Sequence, residues 1–406
     1  MMIRPSIASA LVASMWLTGC VLEIKSSGEL DDDGDTGAVD DTEFEASTES
    51  TDGSPGGCIG DCPSPAEPTW TRVVDTETGS VFSCDVEIDP IGRVALAWRT
   101  GGTDAYPNGR TGIDLIAPDG SLLESTVVEG QVFSKIAFAS DGTLRARGAS
   151  IVGSGTDGQW AMALDDALDP TWQIDYAEAG GFGQCDFGTS AALIDATDHL
   201  VTYNYACAGV VCPQSIVRRH APDGSVLWET NVGGNPGLLD TPVAVGSDQS
   251  VFHAGTYLYD DTSATIELRK FSADGQEQWT LYTDHELAGL WGDAEGGVYM
   301  VASDFNGFAQ LQHVDADGIL LSTSDPLPPG LRVFAPAADD SGFFVAHEGQ
   351  LQRTNLDLAP IWSAPIEPGQ GSLDAFAVSD GEDTFALAGS KTGEGNNYWL
   401  TMMATP

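Results

Sequence analysis

Residues 215–230 read SIVRRHAPDGSVLWET: an alternating run, an Asp-Gly pair, and a second run carrying a Trp. Alternation on both sides of a tight turn predicts an antiparallel hairpin, because side chains along a strand point to opposite faces with a period of two. The same text returns as IDLIAPDGSLLES (113–125), AMALDDALDPTWQI (161–174), IELRKFSADGQEQWTL (266–281), LQHVDADGILLST (311–323) and LQRTNLDLAPIWSA (351–364), which makes six copies. Between the copies lies a second hairpin text, as in DVEIDPIGRVALAW (85–98), KIAFASDGTLRARG (135–148), AALIDATDHLVTYN (191–204), PVAVGSDQSVFHAG (242–255), GLWGDAEGGVYMVA (289–302), FAPAADDSGFFVAH (334–347) and AFAVSDGEDTFALAG (375–389). That half occurs seven times.

Two hairpins make a four-stranded antiparallel unit, and a period of about 48 residues is the length of a propeller blade. The imbalance of six against seven locates the closure. NNYWLTMMATP (396–406) supplies a third strand without its partner, and EPTWTRVVD (67–75) a fourth strand without its hairpin. The Pro-Thr-Trp of that first segment matches Pro170-Thr171-Trp172. Pairing the two ends completes a seventh unit and removes the open sheet edge that would template aggregation. The expectation is an all-β, seven-bladed β-propeller over residues 69–406, closed by its N-terminal strand.

The Asp-Gly pairs at Asp119-Gly120, Asp141-Gly142, Asp223-Gly224, Asp274-Gly275 and Asp317-Gly318 are read as turn residues, since tight hairpins need positive φ, which Gly accepts freely and Asp tolerates. Trp172, Trp228, Trp279 and Trp362 fall at one repeat position and are expected to pack between blades.

The 406 residues hold 16 Lys plus Arg against 61 Asp plus Glu, and this charge excludes nucleic-acid binding. Residues 1–20, MMIRPSIASALVASMWLTGC, combine Arg4 with an apolar stretch too short to span a bilayer, as a secretory signal does. Leu17-Thr18-Gly19-Cys20 resembles the bacterial lipobox, which implies removal of residues 1–19 and acylation of Cys20. The acyl chains are then the only membrane contact, in a bacterial envelope and in keeping with outer-membrane sorting. Residues 20–68 are acidic and poor in apolar groups and are expected to be a disordered tether. The remaining cysteines, Cys58, Cys62, Cys84, Cys185, Cys207 and Cys212, form an even set suited to an oxidising compartment. Their connectivity stays open; Cys58 with Cys62 and Cys207 with Cys212 are the simplest pairs, leaving Cys84 and Cys185.

In an antiparallel four-stranded blade, the connections leading into the first strand and those between second and third strands share one face of the ring. The longer stretches fall there: 99–112, 177–189, 206–214, 233–242 and 255–265. Long connections in compact domains carry function disproportionately. The expected binding surface is this face, with Tyr106, Asn108, Arg110, Phe182, Asp186, Tyr257, Tyr259, Asp260 and Asp261 as contacts. Cys84, Cys185, Cys207 and Cys212 are each expected to precede a first strand or follow a second one, where disulfides would stiffen this face.

The hairpin Ala221 to Trp228 and the strand pair AVSDGEDTFALAGS near the C-terminus resemble the β-propeller repeat lipoproteins of Gram-negative bacteria and the PQQ-like repeat proteins. The resemblance implies a propeller. It does not extend to the quinone, because the vicinal Cys-Cys of the quinone dehydrogenases is absent from the sequence; no cofactor and no metal are expected. No GxSxG, HExxH, P-loop or GxGxxG motif is present. The function expected is that of a non-catalytic binding or scaffold module for an envelope or extracellular protein or glycan. The alternative is a cell-envelope hydrolase or lyase using carboxylates at the mouth of the propeller channel.

Overall fold

The computed structural model describes residues 68–75, 81–100, 110–129, 131–152, 155–176, 192–194, 197–208, 211–232, 243–260, 263–283, 286–303, 308–337, 341–347, 349–365, 372–379, 384–391 and 397–404. The leader, Cys20, Cys58, Cys62 and the acidic tether lie outside them. Every regular element described is a strand.

The chain opens with β1 (Pro68–Asp75). Six complete blades follow, each a four-stranded sheet in simple up-and-down order. Blade 1 is β2 (Val81–Ile88), β3 (Val94–Thr100), β4 (Arg110–Ile116) and β5 (Leu122–Glu129). Blade 2 is β6 (Gln131–Phe138), β7 (Leu144–Val152), β8 (Gly155–Leu164) and β9 (Pro170–Tyr176). Blade 3 is β10 (Ala192–Ile194), β11 (Leu200–Ala208), β12 (Val211–His220) and β13 (Val226–Asn231). Blade 4 is β14 (Val243–Val245), β15 (Val251–Asp260), β16 (Ser263–Phe271) and β17 (Glu277–Thr283). Blade 5 is β18 (Glu286–Gly292), β19 (Val298–Ser303), β20 (Ala309–Val314) and β21 (Leu320–Thr323). Blade 6 is β22 (Arg332–Pro336), β23 (Gly342–His347), β24 (Gln350–Asn355) and β25 (Pro360–Pro365). The seventh sheet runs β26 (Ser372–Val378), β27 (Thr384–Lys391), β28 (Asn397–Ala404) and then β1. The fourth strand of blade 7 is therefore the first strand among the described residues, paired from Pro68 opposite Met403 to Asp75 opposite Asn397.

A single sheet has two faces to cover, and here each is covered by its neighbour. Among the described residues the buried apolar side chains divide into seven clusters, one in each seam between consecutive blades. The cluster that joins the ends packs Val86, Leu96 and Trp98 of blade 1 against Ala386, Ala388 and Leu400 of blade 7. Each seam of the ring thus has its own apolar packing.

One turn serves both kinds of hairpin. In 117–121 the Ala117 N–H donates to the Ser121 carbonyl at 2.8 Å and the Gly120 N–H to the Ala117 carbonyl at 2.9 Å, with Gly120 at φ +83°. This is the three-residue hairpin with its left-handed fourth position. The same bonds recur at 139–143, 165–169, 221–225, 246–250, 272–276, 315–319 and 355–359. The expectation that Asp shares the positive φ is corrected: Asp119, Asp141, Asp223 and Asp248 all precede the left-handed position, and their carboxylates accept the N–H of the residue two places on. Among the described residues, the four non-glycines at positive φ are Leu168, Asp198, Gln249 and Leu358. All four stand in the slot that glycine fills elsewhere.

That slot is also where blades latch together. The Nε1–H of Trp70 on β1 donates to Pro118 O of blade 1 at 2.9 Å. Trp172 does the same to Pro222 at 2.9 Å, Trp228 to Ala273 at 3.0 Å and Trp279 to Ala316 at 2.9 Å. Each indole lies on the turn glycine of the next blade: a Cβ added to Gly120, Gly224, Gly275 or Gly318 would meet Trp70, Trp172, Trp228 or Trp279 at 2.9 Å or less. The two exceptions are paired. Glu124 replaces Trp on β5 where the facing turn has Leu168, and Ser322 replaces it on β21 where the facing turn has Leu358. Leu168 is buried and fills its seam from the opposite blade. Trp362 has no such turn opposite it, because β28 and β1 are joined by no hairpin; its ring stacks on Phe385 instead, centroids 5.6 Å apart.

Candidate functional site

The strand directions sort every connection onto one of two faces. The turns between first and second strands and between third and fourth strands all lie on one face, and there the blades are stitched by cations as well as by indoles. Arg93 reaches from blade 1 to Asp166 at 2.8 Å and Gly142 O at 3.0 Å in blade 2, while Asp89 holds it from behind. Arg219 donates to Ala273 O at 2.7 Å and to Gln249 at 3.3 Å in blade 4. Lys270 donates to Gly296 O at 2.7 Å and Ala316 O at 3.3 Å in blade 5, and to Asp248 at 3.1 Å. Ala273 O and Ala316 O each accept an indole N–H and a cation together. On this face the indoles and cations tie each of these blades to the next.

The opposite face carries the connections between second and third strands and between blades. Its architecture differs in part from the sequence expectation. Residues 206–214 and 255–265 are mostly strand: β11 and β12 stay paired out to Ala208 opposite Val211, and β15 and β16 out to Asp260 opposite Ser263. The first strands β10 and β14 have three residues each, so these two hairpins extend well past their inner partners as arms on adjacent blades. The reason is that strand pairing here satisfies backbone groups that a loop would leave to water. Each arm has a bulge near its tip, at 206–208 and 258–260.

Of the expected contacts, Tyr257, Tyr259 and Asp260 lie on β15 in the blade 4 arm, and Arg110 opens β4, its backbone N–H donating to the Thr100 hydroxyl at 2.9 Å. Tyr106, Asn108, Phe182, Asp186 and Asp261 lie outside the described residues, as does Cys185. Cys84 lies within β2 rather than ahead of it, at a bulge, and Cys207 and Cys212 lie on the facing strands of the blade 3 arm.

The electrostatics of the surface follow from where the cations went. From residue 69 onward the sequence has 14 Lys plus Arg against 47 Asp plus Glu. Arg145, Arg147, Arg218, Arg219, Lys270 and Arg353 are buried, and Arg93, Lys135 and Arg269 are paired with carboxylates. Arg72, Arg99, Arg110, Arg332 and Lys391 complete the fourteen, and the first four are half-buried. On the turn face Asp119 and Asp223 are held below the usual carboxylate range, first by the hydroxyls of Ser121 and Ser225 and then by the backbone N–H groups of the same residues. Among the described residues no three His, Cys, Asp or Glu side chains are grouped as a metal would need.

Sequence reasoning missed the stitching cations and the buried imidazoles of His220 and His253. The signal for the former was present: Arg219 and Lys270 occupy one repeat position, nine residues before Trp228 and Trp279 respectively.

No family model and no curated protein matches the chain. Solved structures show the likeness that sequence does not. The β-propeller domain of the Trilobed protease from Pyrococcus furiosus, described as having an open velcro topology, superposes with a TM-score of 0.52 at 10% identity, over 79% of this chain and 95% of that one. The Dos1 propeller superposes with a TM-score of 0.50 at 9% identity, over 84% and 95%. At such identities the likeness is one of fold, and the chain is a seven-bladed β-propeller.

Proposed function

We propose that this chain is a lipid-anchored envelope protein, held through Cys20, whose propeller binds a cationic protein partner on the face of the longer connections and performs no chemistry of its own. A propeller is compatible with such a binding or scaffold role. The observation that carries the reading is the partition of structure between the faces, together with the net negative charge of the propeller sequence. One face spends its indoles and cations on joining blades, whereas the other raises two hairpin arms, and from residue 69 onward 14 Lys plus Arg stand against 47 Asp plus Glu. Complementary charge speeds encounter and rejects wrong partners more than it adds raw affinity. Tyr257, Tyr259, Asp260 and Arg110, with Tyr106, Asn108, Phe182, Asp186 and Asp261, form the proposed contact set.

The test is co-purification from detergent-solubilised envelopes of the source bacterium, comparing the native chain with Cys20→Ser and with Tyr257→Ala/Tyr259→Ala. A basic protein retained in stoichiometric amount, eluted by salt and lost in the Tyr variant is the expected result. Retention unaffected by salt and by the arm substitutions would overturn the assignment of the face. A Cys20→Ser chain still partitioning with membranes would overturn the anchor.

A further inference from the structure

Two histidines are buried in consecutive seams, one on each side of blade 3. His220, at the end of β12, is fully buried against blade 2. Its Nδ1 lies 3.3 Å from Gly224 O, and since a carbonyl only accepts, Nδ1 carries the hydrogen. Nε2 is therefore the acceptor, 3.1 Å from the Tyr176 hydroxyl on β9 and 3.3 Å from the Thr202 hydroxyl on β11. The turn that His220 braces is the one receiving Trp172. Two guanidiniums already crowd this seam: Arg147 of β7 and Arg218 of β12 sit 5.4 Å and 4.9 Å from the Tyr176 ring centroid. Glu229 on β13 is the acid nearby, and it is bound to Arg218 at 3.0 Å.

His253, on β15 of blade 4, faces the other seam. Its ring lies 5.0 Å from that of Tyr203 on β11, tilted by 31°, and neither ring nitrogen has a hydrogen-bond partner. Val243 of β14 and Arg269 of β16 are its neighbours in register. Arg269 is a cation itself, with Glu267 and Glu277 engaged on it.

We infer that blade 3 is an acid-releasable segment of the ring, gripped on either side by a neutral buried imidazole whose protonation opens the seam it occupies. At His220 a new proton would turn the acceptor into a donor and place a third cation beside two guanidiniums. At His253 it would place an unsolvated cation against an aromatic ring, next to Arg269, with no acceptor in reach. Burial of a charge without a partner is among the costliest events in a protein interior. The ordering of the seams matters, because an opening confined to the two that flank one blade moves that blade and leaves the remaining ones packed. The inference is independent of which partner the other face binds.

The direction of the effect fixes the pH window. Burial pushes His220 down to about 4 and His253 down to about 3. Each group therefore contributes its stability in full above the unfolded value near 6.5 and loses it as pH falls through the folded value. At pH 5 the opening equilibrium of a seam that frees one of these imidazoles rises about 30-fold relative to pH 8.

Hydrogen exchange followed by mass spectrometry on the full chain at pH 8 and pH 5, corrected for intrinsic exchange, reads this seam by seam. The expected result is loss of protection by about 30-fold or more in β11, β12 and β13, with β23 and β24 of blade 6 unchanged. His253→Phe, which keeps a ring against Tyr203, and His220→Asn, which keeps a donor for Gly224, should each reduce the pH-dependent loss. An even loss across all blades, no loss in blade 3, or unchanged pH dependence in both variants overturns the inference. Should either variant fail to fold, the contrast between blades 3 and 6 in the native chain decides it alone.

Discussion

The latch between Trp172 and Gly224 can be taken apart residue by residue. In Gly224→Ala the new Cβ meets two separate obstacles. The backbone sits at φ +87°, a conformation that costs an L-residue about 1–2 kcal/mol. The Cβ would also lie 2.9 Å from Trp172 Cδ2, so the indole must move off its 2.9 Å bond to Pro222 O. Losing that bond costs about 1 kcal/mol, and disturbing a half-buried indole costs about as much again. Gly92 separates the two terms, because its φ is +84° yet its Cβ would meet only Pro118, at 3.5 Å. Gly92→Ala should therefore cost about 1–2 kcal/mol and Gly224→Ala about 3–4 kcal/mol. In a Trp172→Ala background Gly224→Ala should fall back to the Gly92→Ala figure, giving a coupling of about 2 kcal/mol. Urea unfolding followed by far-UV circular dichroism measures all four without relying on indole fluorescence. Additivity of the two substitutions within about 0.5 kcal/mol would refute the latch.

The Glu124/Leu168 seam, which lacks a latch, should accept one. Glu124→Trp alone is expected to destabilise, since Leu168 occupies the space; adding Leu168→Gly should recover about 1–2 kcal/mol, measured by the same unfolding curves. Lys270→Met strips three acceptors of a buried donor and should cost about 3 kcal/mol, read as a lowered thermal midpoint; no change would mean the cation is dispensable to the seam between blades 4 and 5. Ser225→Ala removes the main cause of the low Asp223 value, so carboxyl NMR should show Asp223 titrating nearer the ordinary range. In the native chain Asp223 contributes stability above its unfolded value and loses it as pH falls through the folded one, and the variant should lose that contribution sooner on acidification.

The architecture was legible because a propeller repeats its chemistry. The period-two runs on either side of Asp-Gly or a related turn marked the hairpins, and the unpaired texts at 67–75 and 396–406 gave the closure that β1 and β28 make. What alternation could not convey was where a hairpin stops. Residues 206–214 and 255–265 carry no regular apolar alternation, yet the backbone pairing of β11 with β12 and of β15 with β16 continues through them. Leu168 and Leu358 were opaque for a related reason: a leucine at positive φ defies local preference, and only the seam across from it, holding Glu124 or Ser322 instead of Trp, explains it. His220 and His253 resemble any other strand residue in sequence. Their significance comes from what a neighbouring blade places against them.

Ring closure is tested most directly across β1 and β28. Thr71 and Thr401 are register partners with hydroxyl oxygens 3.1 Å apart, although 330 residues separate them in sequence. In T71C/T401C, mild oxidation of the monomer should form the 71–401 disulfide, identified by mass spectrometry of the peptic peptides. Monomer with both cysteines still free, or linkage only between molecules, would contradict a ring closed by its own first strand.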